Sequence, residues 1–264
     1  MGLMRKTAIV IPCYNEAERL NAKAFLDMSG KEPGLHFIFV NDGSTDSTPG
    51  MLRSMCGKDP EKMSVLEMTQ NSGKAEAVRR GVLKGIEGGY SNVGYWDADL
   101  AAPLSAIPEF CALLDSSSTT VAIGSRVRLL GRRIERKITR HFLGRVFATF
   151  ASLILEIPVY DTQCGAKVFK NTVRLKAAFS VPFRVRWTFD VELLARLSII
   201  EKAAGNTKPE GSWVECPLKE WEDVAGSKIR TGDFIRGGLE LFRIFAFLHL
   251  PVVRRRYAAR LTNA

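Results

Sequence analysis

Little in this chain points to a metal cluster, a disulfide scaffold or a membrane span. Its five cysteines (Cys13, Cys56, Cys111, Cys164 and Cys216) are scattered, odd in number and form no CxxC pair, and only three histidines accompany them. That argues against a zinc site, which needs closely spaced Cys/His pairs, and against a disulfide framework, so a reducing compartment is expected. No run of about 18–20 apolar residues occurs, and hydropathy therefore predicts no spanning helix. The short apolar run ending at Pro12 reads as a strand, not as the core of a secretory leader. Acid is also scarce: 28 Asp and Glu face 38 Lys and Arg, a formal charge of +10. Such an excess favours anionic partners, whether nucleic acid, phosphorylated small molecules or an acidic membrane surface.

What is present is a globular composition, 46% hydrophobic and 25% charged over 264 residues, enough for one sizeable α/β domain. The first half alternates in period. Strand patterns at Thr7–Ile11, His36–Val40, Ser64–Met68, Asn92–Trp96 and Thr119–Ile123 are separated by helical patterns at 16–26, 49–55, 73–86 and 107–114. That order predicts an α/β fold with a mostly parallel central sheet and helices on both faces. Ligands of such sheets sit at the carboxyl ends of the strands. Four polar clusters fall there: CYNE, NDGSTD, DAD and GSR. The expected organisation is a catalytic domain over 1–218, with a basic acceptor segment over 126–157, and a C-terminal amphipathic arm over 219–264.

WDADL puts Asp97 and Asp99 at a strand end, where residues two apart project to one side. Two carboxylates so placed repel unless a hard divalent cation such as Mg²⁺ or Mn²⁺ joins them; the alternative is a solvated acidic turn. Asp42 follows an apolar strand and is free to accept hydrogen bonds from a base or ribose, while Ser44 or Asp46 caps the next helix. Gly73 and Lys74 open a helix in the manner of a phosphate-cradling turn, although the Walker A spacing is absent. Arg132, Arg136 and Arg140 recur every four residues and would stack on one helical face above an apolar stripe of Ile134, Ile138 and Phe142. An arginine stripe over an apolar face suits a phosphate head on a hydrocarbon tail. The C-terminal stretch, apolar from Leu239 to Val253 and then basic, repeats that pattern and would lie in the interface of an anionic leaflet or pack as a terminal core helix.

IPCYNEAERL, VNDGSTDST, NSGKAEAVRRG, WDADL, GSR, YDTQCGAKVF, RWTFDVELL and EWEDVAGSKI together resemble the family-2 inverting glycosyltransferases of GT-A fold. The later motifs are similar to those of the dolichyl-phosphate β-glucosyltransferase branch, close to the dolichol-phosphate mannose synthases. The resemblance spans roughly residues 7–230. It implies that Pro12, Tyr14, Glu16, Asp42 and Ala98 hold the nucleotide sugar, and that Lys74 and Lys228 lie near the donor diphosphate. Asp97 and Asp99 would bind Mg²⁺ or Mn²⁺. Arg126, Arg136 and Arg140 would meet the acceptor phosphate, and Asp161, Gln163 and Asp99 would serve at the reacting sugar. The chain departs from the pattern in having NDGS where DDGS is common and Leu100 directly after DAD, and it is expected to lack the N-terminal membrane helix of eukaryotic relatives.

The expected reaction is metal-dependent, inverting transfer of a hexose, glucose from UDP-glucose, to a polyprenyl or dolichyl phosphate. The protein would be peripheral at the cytosolic face of a membrane. GDP-mannose or UDP-N-acetylglucosamine as donor, or a saccharide hydroxyl as acceptor, are the alternatives. An acceptor phosphate monoester, with a second pKa of about 6, is already a nucleophile at neutral pH, so Asp161 and Asp190 need not act as a base. Nucleic acid is not expected as a partner, because no RNP, helix-turn-helix or zinc motif occurs and stacking aromatics are sparse beside the basic residues.

Overall fold

The computed structural model describes residues 6–115, 118–135, 138–206, 211–222 and 231–262. In chain order the first elements are β1 (Thr7–Cys13), α1 (Ala22–Lys31), β2 (Leu35–Asp42), α2 (Thr48–Lys58), β3 (Met63–Met68), α3 (Lys74–Glu87), β4 (Asn92–Trp96) and α4 (Ile107–Asp115). They are followed by β5 (Val121–Ser125), β6 (Arg133–Glu135), α5 (Ile138–Leu155), β7 (Ala166–Lys170), α6 (Val173–Ser180) and α7 (Phe189–Ala203). The last are β8 (Trp213–Pro217), β9 (Glu220–Glu222), α8 (Thr231–His249) and α9 (Pro251–Thr262). The chain forms two compact units, residues 1–122 with 165–171, and residues 123–164 with 172–264.

The strand order of the seven-stranded sheet is β3-β2-β1-β4-β7-β5-β8. In the first unit β1 lies parallel to both β2 and β4, β2 parallel to β3, and β7 antiparallel to β4. The expected mostly parallel α/β sheet is therefore present. Strands covered on both faces carry near-continuous apolar runs, and Ala8, Ile9, Val10, Ile11, Phe37, Phe39 and Val40 are all buried. β1 continues through Pro12 to Cys13, two residues past the expected end. The ladder to β4 stops at Val10 paired with Tyr95, so the missing N–H of Pro12 interrupts no bond on that side. The parallel register brings the ends of β1, β2 and β4 to one edge, and the antiparallel β7 starts there, with Ala166 opposite Trp96.

The helix expected over 16–26 begins only at Ala22. The loop after β2 takes the N–H groups that precede it: Ser44 Oγ accepts from Asn15 (3.0 Å), Thr48 Oγ1 from Glu16 (2.8 Å) and Asp46 from Ala17 (3.2 Å). Asn15 adopts a left-handed backbone (φ 51°), and Asn21 then caps α1 by accepting from Ala24 N–H at 3.1 Å. Side chains 29–32 residues further along the chain thus fix the turn after β1 in place of a helix.

In the second unit Leu218 N–H donates to Ser125 O at the end of β5 (2.9 Å), and β6 and β9 form a separate parallel pair. Here Arg132 falls outside the expected helical stripe. Arg133–Glu135 alternate exposed, buried, exposed, with Ile134 turned inward, and Trp221 does the same on β9. Arg132 sits in the turn made by Gly131 (φ 79°), and α5 starts only at Ile138, so Arg132 and Arg140 share no helix. Ile134 and Ile138 fit a helical spacing in sequence, but the period of two around Ile134 prevails. Every residue of α7 from Phe189 to Glu201 is buried. Its charges are satisfied internally: Arg196 donates to Glu192 Oε1 (2.7 Å), to the carbonyls of Ala178, Val181 and Pro182, and to Tyr257 Oη of α9 (2.8 Å). Glu240 of α8 accepts from the N–H groups of Arg186, Trp187 and Thr188. The FDVELL motif is therefore, in part, the buried clamp that holds the C-terminal helices.

Candidate active site

At the sheet edge of the first unit, Asp42 closes β2 and its two oxygens accept from Ser72 N–H (2.7 Å) and Gly73 N–H (2.8 Å). Gly73 precedes α3 with φ 92° and no side-chain cap, a conformation that glycine alone adopts without strain. The anion that backbone N–H groups hold at the start of α3 is thus the Asp42 carboxylate, placed where the helix dipole favours it. Burial lifts the Asp42 carboxyl above its ordinary range, with the two N–H groups opposing.

Lys74 begins α3 and sets Nζ 2.5 Å from Asp97 Oδ1. Asp97 N–H donates to Gly165 O (3.0 Å), and a Cβ on Gly165 would lie 2.0 Å from Asp97 Oδ2. Only glycine lets the Asp97 carboxylate rest against the start of β7. The loop beyond is tied at three points: Leu100 N–H to Asp97 O, Ala101 N–H to Asp99 Oδ1 (3.2 Å) and the Trp96 indole to Ala102 O (2.7 Å). Leu100 takes a left-handed backbone (φ 55°), a strained state for a branched side chain. Burial and then the neighbouring Asp97 charge raise the Asp99 pKa, against the Ala101 N–H, Lys74 and Arg19. Pro12 and Tyr14 are half-buried, Ala98 is buried, and buried Glu16 accepts from Arg19 at 2.6 Å.

These residues fit a hard divalent cation only in partnership. No group of three or more His, Cys, Asp or Glu side chains is placed to hold a metal among the described residues. The protein can offer the Asp97–Asp99 pair, whose mutual repulsion a cation would relieve, and phosphate oxygens and water would have to complete the shell.

In the second unit, Arg126 and Asp161 form a two-pronged ion pair, Nε to Oδ2 at 2.6 Å and Nη2 to Oδ1 at 2.7 Å, with Arg126 N–H also donating to Oδ2 (3.1 Å). The Arg126 guanidinium lies over the Trp221 ring, 4.8 Å from its centroid. Gln163 N–H donates to Asp161 Oδ1 (3.2 Å). Gln163 Nε2 and Thr162 Oγ1 are buried with no hydrogen-bond partner among the described residues. Glu215 accepts from Tyr160 N–H (2.8 Å) and Asp161 N–H (2.9 Å). Arg145 donates to Tyr160 O (2.8 Å) and lies 3.5 Å from its ring centroid.

The residues expected at the donor fall at one edge of the first unit's sheet, with Lys74 on Asp97 and Asp42 on the α3 turn. Arg126, expected at the acceptor, and Asp161, expected at the sugar, share one ion pair in the second unit. Arg136 and Lys228 lie outside the described residues, as does the side chain of Arg140, whose backbone is in α5. Sequence reading missed Arg19, Glu215 and Trp221. Arg19 and Trp221 lie inside the IPCYNEAERL and EWEDVAGSKI motifs and Glu215 outside every motif, and only the fold reveals what each touches.

The fold is of GT-A type, and its class follows: residues 8–176 match Glycosyl transferase family 2, the chain belongs to that family, and it is a glycosyltransferase. Among its relatives, the dolichyl-phosphate beta-glucosyltransferase of Drosophila melanogaster is 32% identical over 254 residues, covering 90% of this chain and 74% of that protein. A polyprenol monophosphomannose synthase of Mycolicibacterium smegmatis is 26% identical, covering 79% of this chain and 82% of that protein. The crystal structure of glucosyl-3-phosphoglycerate synthase from Mycobacterium tuberculosis in complex with Mn²⁺, UDP and glucosyl-3-phosphoglycerate shares the fold. Its TM-score is 0.62 at 16% identity, over 92% of this chain and 79% of that one.

Proposed function

We propose that this glycosyltransferase moves a hexose from a nucleoside-diphosphate sugar to a polyprenyl phosphate with inversion at the anomeric carbon, and that the donor is UDP-glucose. The observation that carries the reading is the 32% identity over 90% of the chain to a dolichyl-phosphate beta-glucosyltransferase. The mycobacterial polyprenol monophosphomannose synthase favours a second reading, with GDP-mannose as donor.

Pro12, Tyr14, Glu16, Asp42 and Ala98 would hold the nucleoside and ribose, and Lys74 and Lys228 the diphosphate. Asp97 and Asp99 would hold Mg²⁺ or Mn²⁺, which when bound supplies positive charge against the leaving diphosphate. Arg126, Arg136 and Arg140 would take the acceptor phosphate, and Asp161 and Gln163 the sugar. In the transfer, an oxygen of the acceptor phosphate forms a bond to the anomeric carbon as the bond to the donor phosphate breaks and its electron pair leaves with the nucleoside diphosphate. Above about pH 6 the acceptor is a dianion and no proton must move. Asp161 is therefore assigned to positioning: a carboxylate gripped on both oxygens by Arg126 is a poor base, and the same grip aligns the guanidinium.

A membrane surface is the proposed setting. Leu143, Val146, Phe150 and Leu153 on α5, and Leu239, Phe242 and Phe245 on α8, are 40–68% exposed, while the opposite faces of both helices are buried. No described helix is long and apolar enough to cross a bilayer, and apolar faces beside basic residues suit its interface. The functional division proposed is a catalytic part over 1–218 and an arm over 219–264, peripheral at the cytosolic face. The test offers UDP-glucose, GDP-mannose and UDP-N-acetylglucosamine with a short polyprenyl phosphate and Mg²⁺ or Mn²⁺, and weighs the lipid product. A hexosyl lipid from UDP-glucose supports the reading; product from GDP-mannose alone favours the second, and transfer only to free saccharides refutes both.

A further inference from the structure

We propose that Glu215 is a positioning residue of the transfer site, which aims Asp161, and through it Arg126, by accepting two consecutive backbone N–H groups. The inference rests on the transferase reading above. The peptide units around Tyr160 are held from both sides. Glu215 takes the N–H of Tyr160 at 2.8 Å and that of Asp161 at 2.9 Å, and Arg145 takes the Tyr160 carbonyl at 2.8 Å while stacking on its ring. With those groups fixed, the Asp161 side chain has one direction in which to leave the chain, and it meets Arg126 along both prongs of the guanidinium.

The stretch that carries Glu215 also braces the other partner. Glu215 lies on β8, Leu218 N–H then bonds to Ser125 O beside Arg126, and Trp221 on β9 lies under the Arg126 guanidinium. One short strand–turn–strand segment therefore supports both members of the ion pair. Burial and the Asp161 charge disfavour ionised Glu215, and only the two N–H groups and Arg145 offset them. An ionised carboxylate nevertheless gives each of the two N–H groups an oxygen of its own. Gln keeps one acceptor and turns an NH₂ toward the second N–H; Asp is one methylene too short to reach both.

The test uses the full chain and compares Glu215→Gln and Glu215→Asp with the parent. With polyprenyl phosphate as acceptor, turnover should fall about tenfold to hundredfold, the scale of losing a charge-assisted hydrogen bond. UDP binding in Mn²⁺, measured by calorimetry, should change less than twofold. Adding Asp161→Asn to Glu215→Gln should cost little more, because both act through one carboxylate. The parent should lose activity as acid protonates Glu215, whose charged neighbours are Asp161 and Arg145, and the Gln variant should keep only the acid limb of the acceptor, near pH 6. Parental turnover in both variants, equal losses of UDP binding and turnover, or additive losses with Asp161→Asn would each overturn the proposal. If the parent transfers no sugar to polyprenyl phosphate, the transferase reading has failed, and amide exchange decides on Glu215 alone. Faster exchange at residues 160 and 161 in Glu215→Gln, with β1 unchanged, supports the tie, and unchanged exchange at 160 and 161 overturns it.

Discussion

Arg126→Ala removes one member of a pair whose side chains are only 14% and 9% exposed. Asp161 would lose both prongs and Trp221 its stacked cation, and the carboxylate would stay in a site with little water. Breaking a fully buried pair from one side costs about 3–5 kcal/mol, and an exposed pair contributes about 0.2–1 kcal/mol. This pair lies nearer the buried limit, so a loss of roughly 2–4 kcal/mol is expected. Arg126→Lys should recover part of it, since it restores the charge without the fork or the stacking plane. The assay is a double-mutant cycle with Asp161→Asn, followed by chemical denaturation in the absence of ligands. Asp161→Asn takes away the stranded charge, so the double variant should be no less stable than Arg126→Ala, with a coupling of at least about 1 kcal/mol. Additive losses would show that the two side chains do not depend on each other, and the assignment of Asp161 to a positioning role would fall with them. The same Arg126→Ala chain should also need more polyprenyl phosphate to saturate, while its UDP binding stays within twofold of the parent.

Asp99→Asn should abolish metal-dependent UDP binding and yet stabilise the ligand-free protein at neutral pH. Its pKa is raised on folding, so the parent carries the cost of an ionised Asp99 above the ordinary carboxylate range; the difference should vanish in acid near pH 4, as denaturation at both pH values would show. Gly165→Ala should displace the Asp97 carboxylate, which a new Cβ would meet at 2.0 Å. Calorimetry should find UDP binding at least about tenfold weaker, and denaturation a loss of about 1–3 kcal/mol. Phe150→Ser with Phe242→Ser should weaken sedimentation with anionic vesicles, at about 1.5–3 kcal/mol for each large side chain left unburied. Turnover of a short, water-soluble acceptor should not change.

Much of the first unit was legible because its strands are buried on both faces and announce themselves as apolar runs bounded by turn residues. The shared edge of the residues proposed for the donor follows from that pattern, since a parallel register carries Cys13, Asp42 and Trp96 to one edge whatever the loops do. The loops were less legible. The delayed start of α1 depends on Ser44, Asp46 and Thr48 reaching back to residues 15–17, and no local propensity encodes such a contact. The acceptor side was misread at Arg132 for a related reason. Four-residue spacing of arginines fits a helix, but Ile134 and Trp221 pair two short strands, and pairing across more than eighty residues leaves no mark on either segment alone. Asp161 could be singled out from its motif, whereas its hold on Arg126, and the grip of Glu215 on its backbone, exist only in three dimensions.

In the proposed transfer, a lipid phosphate oxygen displaces a nucleoside diphosphate from the anomeric carbon of the donor. The most direct test is the NMR spectrum of the lipid product formed from UDP-glucose, read for the configuration at that carbon and for its coupling to phosphorus. A β-configured glucose coupled to the lipid phosphorus is the result expected. An α-configured product, or a glucose joined to carbon-bound oxygen with no coupling to phosphorus, would contradict the account.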